Sequence, residues 1–278
     1  MTSVAEIERE LADLRGPDRH HVPPQRTSVM THLAWVPEEW VDAAHEVLAG
    51  LAERHPSRTI VLVPQPDSDR DGIDGEVRQQ CFPLAGSTRQ ICTETIELRL
   101  LGDRAARPAS IVEPLLIADL PVFCRWRGDP PWDGNEFAQL VGIADRLVVD
   151  SREWREPVEG YKRLQEIFDR VAVSDIAWSL TSDWRLALAK LWPTICEQEI
   201  RIHGPQAQAA LLRGWLASRL RRAIRPVEPS DELSVQLGGE RLDPALTEDL
   251  SPADLLSNEL DRFSRDRIYE QAVGAAAA

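Results

Sequence analysis

The sequence predicts an α/β protein: a mostly parallel sheet covered by helices, with a β-hairpin insertion, plus a second, smaller α/β domain. Short apolar runs such as TIVLVP at 59–64 and RLVVDS at 146–151 are typical of parallel strands with both faces covered. Stretches with apolar residues at 3- and 4-residue spacing lie between such runs and predict helices. Strand and helix alternating along the chain favour a parallel sheet.

The elements of the first domain follow this alternation. The amphipathic N-terminal segment and a proline-containing loop (1–26) precede the domain, which we place at 27–170. Its elements are predicted as a strand at 27–36, a helix around 41–51, a strand at 59–64, two longer strands around a turn at Ala85 to Ser87, a helix near 109–117, a strand ending near 124, a helix at 134–142, a strand at 146–151 and a helix at 157–169.

The pattern changes after about residue 170, and we assign 171–278 to the smaller domain. Pro205 stands in the first turn of a predicted helix with Leu212, Trp215 and Leu216 on one face. The remaining elements are predicted as a helix from about 182 to 192, a strand at 197–204, a hairpin around Gly238 and Gly239, and a helix from 251 to about 263. The closing AVGAAAA predicts a frayed tail.

Composition excludes several functional classes. The 278 residues are 43% hydrophobic and carry a formal net charge of -14, from 46 acidic and 32 basic residues. This charge disfavours nucleic-acid partners, because such binding depends on cationic side chains at phosphates. A secretory signal is not evident, and no apolar run has the length of about 18 residues that a membrane span needs. We therefore predict a cytoplasmic protein that binds neither nucleic acid nor membrane.

The four cysteines form no CxxC pair, and we expect buried free thiols. Cys81 and Cys92 flank the predicted hairpin, so they are also a candidate redox pair if the strands place them opposite one another.

Motifs for catalysis are missing. We find no GxGxxG, GxxxxGKS, GxSxG or HExxH, and the histidines and acidic residues form no ligand set. The sequence therefore predicts no catalytic residue, no metal site and no cofactor.

Arg54, His55, Ser57 and Arg58, in RHPSR, are candidate anion contacts, because their side chains are suitable donors to phosphate. This stretch precedes its strand, whereas ligands of open α/β sheets bind at the carboxyl ends of strands. If the strands are parallel, RHPSR lies at the opposite sheet edge from the next candidate.

That second candidate is FCRWRGDPPW, at the carboxyl end of a buried strand. Arg125, Trp126, Arg127 and Trp132 leave three interpretations open: local pairing, for example of Arg125 with Asp150, a small-ligand site, or a docking surface. We expect Trp126 and Trp132 to be partly exposed. Trp and Arg are enriched at protein-binding hot spots, which favours a protein partner.

Five stretches, taken together in order and spacing, resemble the OpcA family of bacterial glucose-6-phosphate dehydrogenase assembly proteins. They are RHPSRTIVLVP, PLLIADLPVFCRWRGDPPW, RLVVDS, DIAWSLTSDWR and LLRGWLASRL. The resemblance covers nearly everything from Arg26 to about Val273.

This resemblance implies a non-catalytic regulatory protein that binds glucose-6-phosphate dehydrogenase and promotes its active oligomer, in some members with redox sensitivity. Such a protein supports NADPH production in the pentose phosphate pathway. The alternatives are a sugar-phosphate-binding enzyme or sensor at the carboxyl sheet edge, and a redox scaffold acting through the two hairpin cysteines.

Overall fold

A computed structural model describes residues 2–14, 28–52, 54–83, 90–245 and 250–278. The predicted hairpin turn at 85–87 and the proline-containing loop before residue 27 fall outside these ranges. The large sheet has the spatial order β3-β4-β2-β1-β5-β6-β7. Its strands are β1 (Thr31–Trp35), β2 (Arg58–Gln65), β3 (Gly72–Pro83), β4 (Gln90–Leu101), β5 (Val122–Trp126), β6 (Arg146–Val149) and β7 (Ala172–Asp175).

The pairing in this sheet confirms the predicted fold class. β1 pairs in parallel with β2 and β5, β2 with β4, and β5 with β6. β3 is antiparallel to β4 and forms the hairpin insertion with it. The run Ile60–Val63 is fully buried, as expected of a central parallel strand with both faces covered.

The smaller sheet has four strands in the order β11-β10-β8-β9. They are β8 (Ile200–Gly204), β9 (Glu228–Pro229), β10 (Ser234–Leu237) and β11 (Glu240–Arg241). The predicted hairpin is β10 and β11, joined through Gly238 and Gly239, both of which have positive φ angles that favour glycine. A second α/β unit is therefore present.

Helices alternate with the strands along the chain. The α-helices are α1 (Val4–Leu14), α2 (Val41–Leu51), α3 (Ala109–Val112), α4 (Asn135–Ile143), α5 (Pro157–Gln165), α6 (Ile176–Ser179), α7 (Ser182–Ala189), α8 (Gln206–Leu220), α9 (Pro252–Leu260) and α10 (Arg267–Ala277). Short 3₁₀ turns include Glu38–Trp40 and Ser151–Glu153.

The chain separates into two compact units. Unit 1 comprises Met1–Val148 with Pro252–Asp261, and unit 2 comprises Val149–Ser251 with Arg262–Ala278. The division thus falls earlier than the expected boundary near residue 170. The reason is that α5, which we expected to close the first domain, packs on α8 and α10 of unit 2. Likewise α9, which the sequence placed in the smaller domain, packs on α2 of unit 1.

The prediction of a frayed C-terminal tail is wrong. Residues 267–277 form α10, in which Tyr269, Ala272, Val273 and Ala276 are buried. The closest approach is to Gly214 on α8, where an added Cβ would lie 2.2 Å from the Ala272 carbonyl oxygen. Small residues on both helices allow this close packing, so an alanine-rich segment that is weakly apolar by itself becomes part of the core.

Candidate functional site

The predicted docking residues lie where β1 and β5 end. The parallel register places Trp35 directly beside Trp126. Their rings are stacked, with centroids 4.9 Å apart and planes 14° apart. Because adjacent parallel strands end at the same sheet edge, two tryptophans that are far apart in sequence form one buried aromatic stack.

Two further rings extend this stack. Phe137 on α4 meets Trp126 edge to face at 5.0 Å, and Trp132 meets Phe137 in the same manner at 5.4 Å. We call Trp35, Trp126, Phe137 and Trp132 the aromatic row. Its first three members are at most 5% exposed, whereas Trp132 is half-buried. Edge-to-face and stacked pairs of this kind each add about 0.5–1.5 kcal/mol beyond their burial. The row is therefore a rigid support with one ring near the surface.

Arg127 begins the turn that follows β5. Its backbone N–H donates to the Trp35 carbonyl at 3.1 Å, and its guanidinium carbon lies 4.4 Å from the centroid of the Trp40 ring. A cation over a tryptophan face at this distance is an attractive cation–π contact. Gly128 comes next with φ +74°, a backbone conformation that a side chain strains, so the chain can turn away beside Trp40.

Trp40, Arg127 and Trp132 are the half-buried members of this region, and we call them the Trp/Arg rim. The rim combines a planar cation with two indole rings at the edge of a packed aromatic core. Sequence reasoning included Arg127 and Trp132 but missed Trp40, Trp35 and Phe137. The pairing of β1 with β5, which brings these rings together, connects segments about 90 residues apart and leaves no local signal.

The expectation of a partly exposed Trp126 is wrong, because this side chain is only 2% exposed. Its neighbour Arg125 is buried as well, and its guanidinium donates to the backbone carbonyls of Trp126 and of Val148. β5 has a paired strand on each side, so both of its edges are covered, and the Trp126 ring is covered by Trp35 and Phe137. Neither side chain presents a surface to a partner, and Trp126 acts on the rim by supporting it.

RHPSR lies at the other end of the sheet, as predicted. Arg58 is in register with Thr31, and Thr31 with Val122, so all three stand at the amino ends of their parallel strands. Arg125, in contrast, is next to the last residue of β5. The two arginine clusters therefore cannot form one pocket.

The donors of RHPSR already have partners within unit 1. Arg58 donates twice to one Glu94 carboxylate oxygen, at 2.9 and 2.7 Å, and once to the Leu115 carbonyl at 2.7 Å. With both side chains about one-tenth exposed, this is a buried ion pair. Its geometry indicates a role in fixing β2 to β4.

The other three members are engaged in the same way. Arg54 pairs with Asp254 at the start of α9, His55 hydrogen-bonds the Ser257 hydroxyl at 2.6 Å, and Ser57 lies 3.3 Å from the Thr59 hydroxyl. Arg54 and His55 thus fasten α9 to the loop before β2. Each of these side chains already contacts another part of the chain, which makes the RHPSR stretch a weaker candidate for an anion site.

His32 on β1 is buried close to this loop. Burial lowers the pKa of its imidazole to about 4, and the nearby Arg125 and His55 lower it further. The ring is therefore neutral at physiological pH. Within the part of the chain that the structure describes, its Nε2 atom has no hydrogen-bond partner.

Cys81 and Cys92 are joined in a disulfide, so the expectation of free thiols is wrong for this pair. The antiparallel register of β3 and β4 sets the two residues directly opposite each other. Cys81 is exposed, and a redox role for the pair remains a prediction. Cys124 is a free buried thiol whose pKa is raised to about 12 by burial, which leaves it unreactive.

Unit 2 contains a buried polar cluster that the sequence did not suggest. Asp175 at the end of β7 accepts hydrogen bonds from the backbone N–H groups of Ser151 and Ala177, at 3.0 and 2.9 Å. Burial raises the pKa of this carboxyl to about 7, and the nearby Asp150 carboxylate contributes. Tyr161 extends the cluster through its hydroxyl, 2.9 Å from that of Ser151. β7 was missed because its four residues, AVSD, carry too weak a pattern.

Two properties of the described residues bear on other functional classes. No helix among them has the length and apolar character needed to cross a membrane. In these same ranges, no three His, Cys, Asp or Glu side chains gather as ligands for a metal ion.

Comparison with known proteins agrees with the resemblance found in the sequence. Residues 49–166 match a protein family described as "Glucose-6-phosphate dehydrogenase subunit N-terminal domain". An OxPP cycle protein OpcA of Nostoc punctiforme is 31% identical over 185 residues, which is 61% of this chain and 39% of the relative. The OpcA protein of a Synechocystis strain is 28% identical over 183 residues, covering 61% of this chain and 38% of the relative. The match spans about two fifths of the length of these relatives.

Proposed function

We propose that the chain, which over residues 49–166 matches a family described as a glucose-6-phosphate dehydrogenase subunit N-terminal domain and which is similar to OpcA proteins, binds glucose-6-phosphate dehydrogenase and promotes the active oligomer of that enzyme. In this role the chain is a non-catalytic cytoplasmic protein that supports NADPH formation in the oxidative pentose phosphate pathway. The enzyme catalyses the reaction, and the chain contributes only binding free energy that favours the active oligomer.

The observation that carries this proposal is the Trp/Arg rim on its buried aromatic support. Hot spots of protein interfaces are rich in Trp and Arg, and they are effective when they are held rigid before binding. Arg127 is held over Trp40, and Trp132 is held against Phe137. Docking through Arg127, Trp132 and Trp40 therefore costs little side-chain entropy.

The effect on the enzyme follows from differential binding. A protein that binds the active oligomer more tightly than the inactive form shifts the population toward the active oligomer. A full reversal from 1:99 to 99:1 needs about 5.5 kcal/mol of difference in binding free energy. Three hot-spot side chains, at about 2 kcal/mol each, supply this amount when they contact only the active oligomer.

The test is a titration of the chain into the glucose-6-phosphate dehydrogenase of the same organism. NADPH absorbance follows the rate, and light scattering on the same mixtures follows the mass. We expect a saturable rise in rate together with a complex of larger mass. No complex and no change in rate across a wide concentration range would refute the proposed function.

Two variants locate the docking surface. Trp132→Ala and Arg127→Ala should each weaken binding by about thirtyfold or more, corresponding to the loss of a hot-spot side chain of about 2 kcal/mol. Trp192→Ala is the matched control, because Trp192 is 63% exposed and lies in the other unit. Equal affinity of the wild type and both rim variants would reject the rim while leaving the partner in place.

A further inference from the structure

Unit 2 contains a cavity of about 530 Å³ that the proposed function does not use. It lies beside the first turns of α8 and the segment that leads to β9. The lining residues are Val158, Gly204, Gln206, Ala210, Arg213, Pro226, Val227 and Pro229. Cavities that hold small molecules are typically about 300–1,000 Å³ and mostly apolar, with a few polar groups. This cavity has both properties.

The local geometry explains how the cavity forms. Gln206, Ala210 and Arg213 follow one another along a single face of α8, because positions four and three apart share a helix face. The opposite wall is the Pro226–Pro229 stretch, which proline keeps extended. A small side chain, Ala210, stands between two longer ones and leaves the space open.

Arg213 is the one charged group in the lining. Its Nη2 atom donates to the Ala276 carbonyl on α10 at 3.0 Å, which fixes the position of the guanidinium. In the described part of the chain this is the only hydrogen bond or ion pair recorded for that group. Nε and Nη1 therefore remain available as donors to a ligand.

Arg213 has no acidic neighbour within the lining. None of the eight lining residues is acidic, although the chain as a whole is rich in acidic residues (46 of 278). Glu228 belongs to the extended wall but is not one of the lining residues, and its carboxylate lies 3.4 Å from the imidazole of His203. The cavity thus offers one positive charge in an apolar surrounding.

We propose that this cavity binds a small organic carboxylate with an apolar body. The planar guanidinium of Arg213 matches a carboxylate, and its single charge balances a monoanion. A phosphate monoester, which approaches two negative charges at neutral pH, would lack a second cation. The body of the ligand packs on Val158, Pro226 and Val227, and the Gln206 side chain is the additional polar group.

Calorimetric titration of the full chain with 4-phenylbutyrate tests the proposal, with 4-phenylbutyramide and phenyl phosphate titrated in parallel. We expect the carboxylate to bind at least about tenfold more tightly than the neutral amide, because a charge-assisted bond is about twice as strong as a neutral one. It should also bind more tightly than the phosphate, because the second negative charge of the phosphate has no cation in the lining to pair with. The proposal would be overturned if millimolar 4-phenylbutyrate gave no heat of binding and no change in the methyl spectra described below. Tighter binding of phenyl phosphate would also overturn it.

Methyl spectra of valine-labelled protein locate the site. The Val158 and Val227 methyl signals, assigned with Val→Ala variants, should shift on addition of 4-phenylbutyrate. Arg213→Gln should weaken the affinity about tenfold, and Val227→Trp should abolish binding by filling the cavity. Arg219→Gln is the control: Arg219 lies on the same helix but bonds Gln271, outside the cavity. Shifts elsewhere with Val158 and Val227 unchanged would place the ligand at another site and refute this one.

Discussion

The Tyr269 hydroxyl lies 3.3 Å from a carboxylate oxygen of Asp175, in the buried centre of unit 2. Asp175 thus connects three elements: it accepts from Ser151 in a 3₁₀ turn, from Ala177 at the start of α6, and from Tyr269 on α10. The nearby charges are the Asp150 carboxylate and its ion-pair partner Arg152. Unit 2 therefore depends on a carboxyl whose protonated form is favoured by burial.

Replacing Asp175 with Asn should change how stability depends on pH. The pKa is about 7 in the folded chain and ordinarily 3.8, so the folded state holds the proton more tightly. The contribution of Asp175 to stability therefore declines as pH rises from about 4 to about 7. Asp175→Asn keeps an acceptor and removes this loss, so the variant should be more stable than the wild type by about 2 kcal/mol at pH 8.

Urea unfolding of both proteins between pH 5 and pH 8 checks this prediction. The difference in the free energy of unfolding between variant and wild type should grow with pH. A difference that stays constant over this range would mean that Asp175 does not titrate as described.

His32 in unit 1 should give stability the opposite dependence on pH to that given by Asp175. The folded-state pKa is lowered to about 4, whereas the ordinary value is 6.5, so the unfolded chain binds the proton more tightly. The stability due to His32 is lost as pH falls from about 6.5 to about 4. His32→Gln should remove roughly 2 kcal/mol of this acid sensitivity. Guanidinium unfolding at pH 4.5 and at pH 7 measures the stability lost on acidification. His45→Gln is the control: His45 is more exposed than His32, so this variant should lose as much stability on acidification as the wild type.

Gly214 should tolerate no side chain. A Cβ there would lie 2.2 Å from the Ala272 oxygen and 2.7 Å from the Ala276 nitrogen, both of them backbone atoms. Gly214→Val should therefore lower the free energy of unfolding by about 2–4 kcal/mol. Gly142→Ala is the matched control, because an added Cβ on α4 meets nothing within 4 Å. That variant should gain about 0.5–1 kcal/mol from helix propensity. Similar thermal midpoints for both variants would contradict the prediction.

The buried Arg58–Glu94 pair predicts a strong non-additive effect. Arg58→Met leaves Glu94 without its guanidinium partner and should cost about 3–5 kcal/mol. The double variant Arg58→Met with Glu94→Leu should recover most of this loss, because a well-packed apolar pair avoids the cost of burying charge. Urea unfolding of the wild type, Arg58→Met, Glu94→Leu and the double variant completes a double-mutant cycle, which gives the coupling energy of the pair. Simple addition of the two single effects would show that the pair is not coupled.

The sequence predicted those parts of the fold that depend on local patterns. The apolar run at 59–64 is β2, and the helical spacing from Val41 to Leu51 matches α2. The opposite placement of RHPSR and Arg125 was also predicted correctly, because it follows from the direction of parallel strands alone. Burial was harder to predict, since it depends on which strand or helix lies next to a residue.

Trp126 and α10 show why burial could not be predicted from local sequence. Trp126 is buried by Trp35 and Phe137, and the β1–β5 pairing that brings Trp35 alongside is not encoded near either residue. The alanines of α10 are buried because Gly214, about 60 residues earlier, lets the helix approach. In both cases a long-range neighbour decides the outcome.

The position of α9 in the chain has a consequence for synthesis on the ribosome. Leu256 and Leu260 of α9 pack into the cluster that contains Met30, Leu51 and Phe123, and His55 binds Ser257. This core of unit 1 is therefore incomplete until the whole of 149–251 has been translated. At about 5–20 residues per second, the apolar surface around Leu51 stays uncovered for roughly 5–20 seconds. During that interval the nascent chain is a natural substrate for chaperones that bind apolar segments.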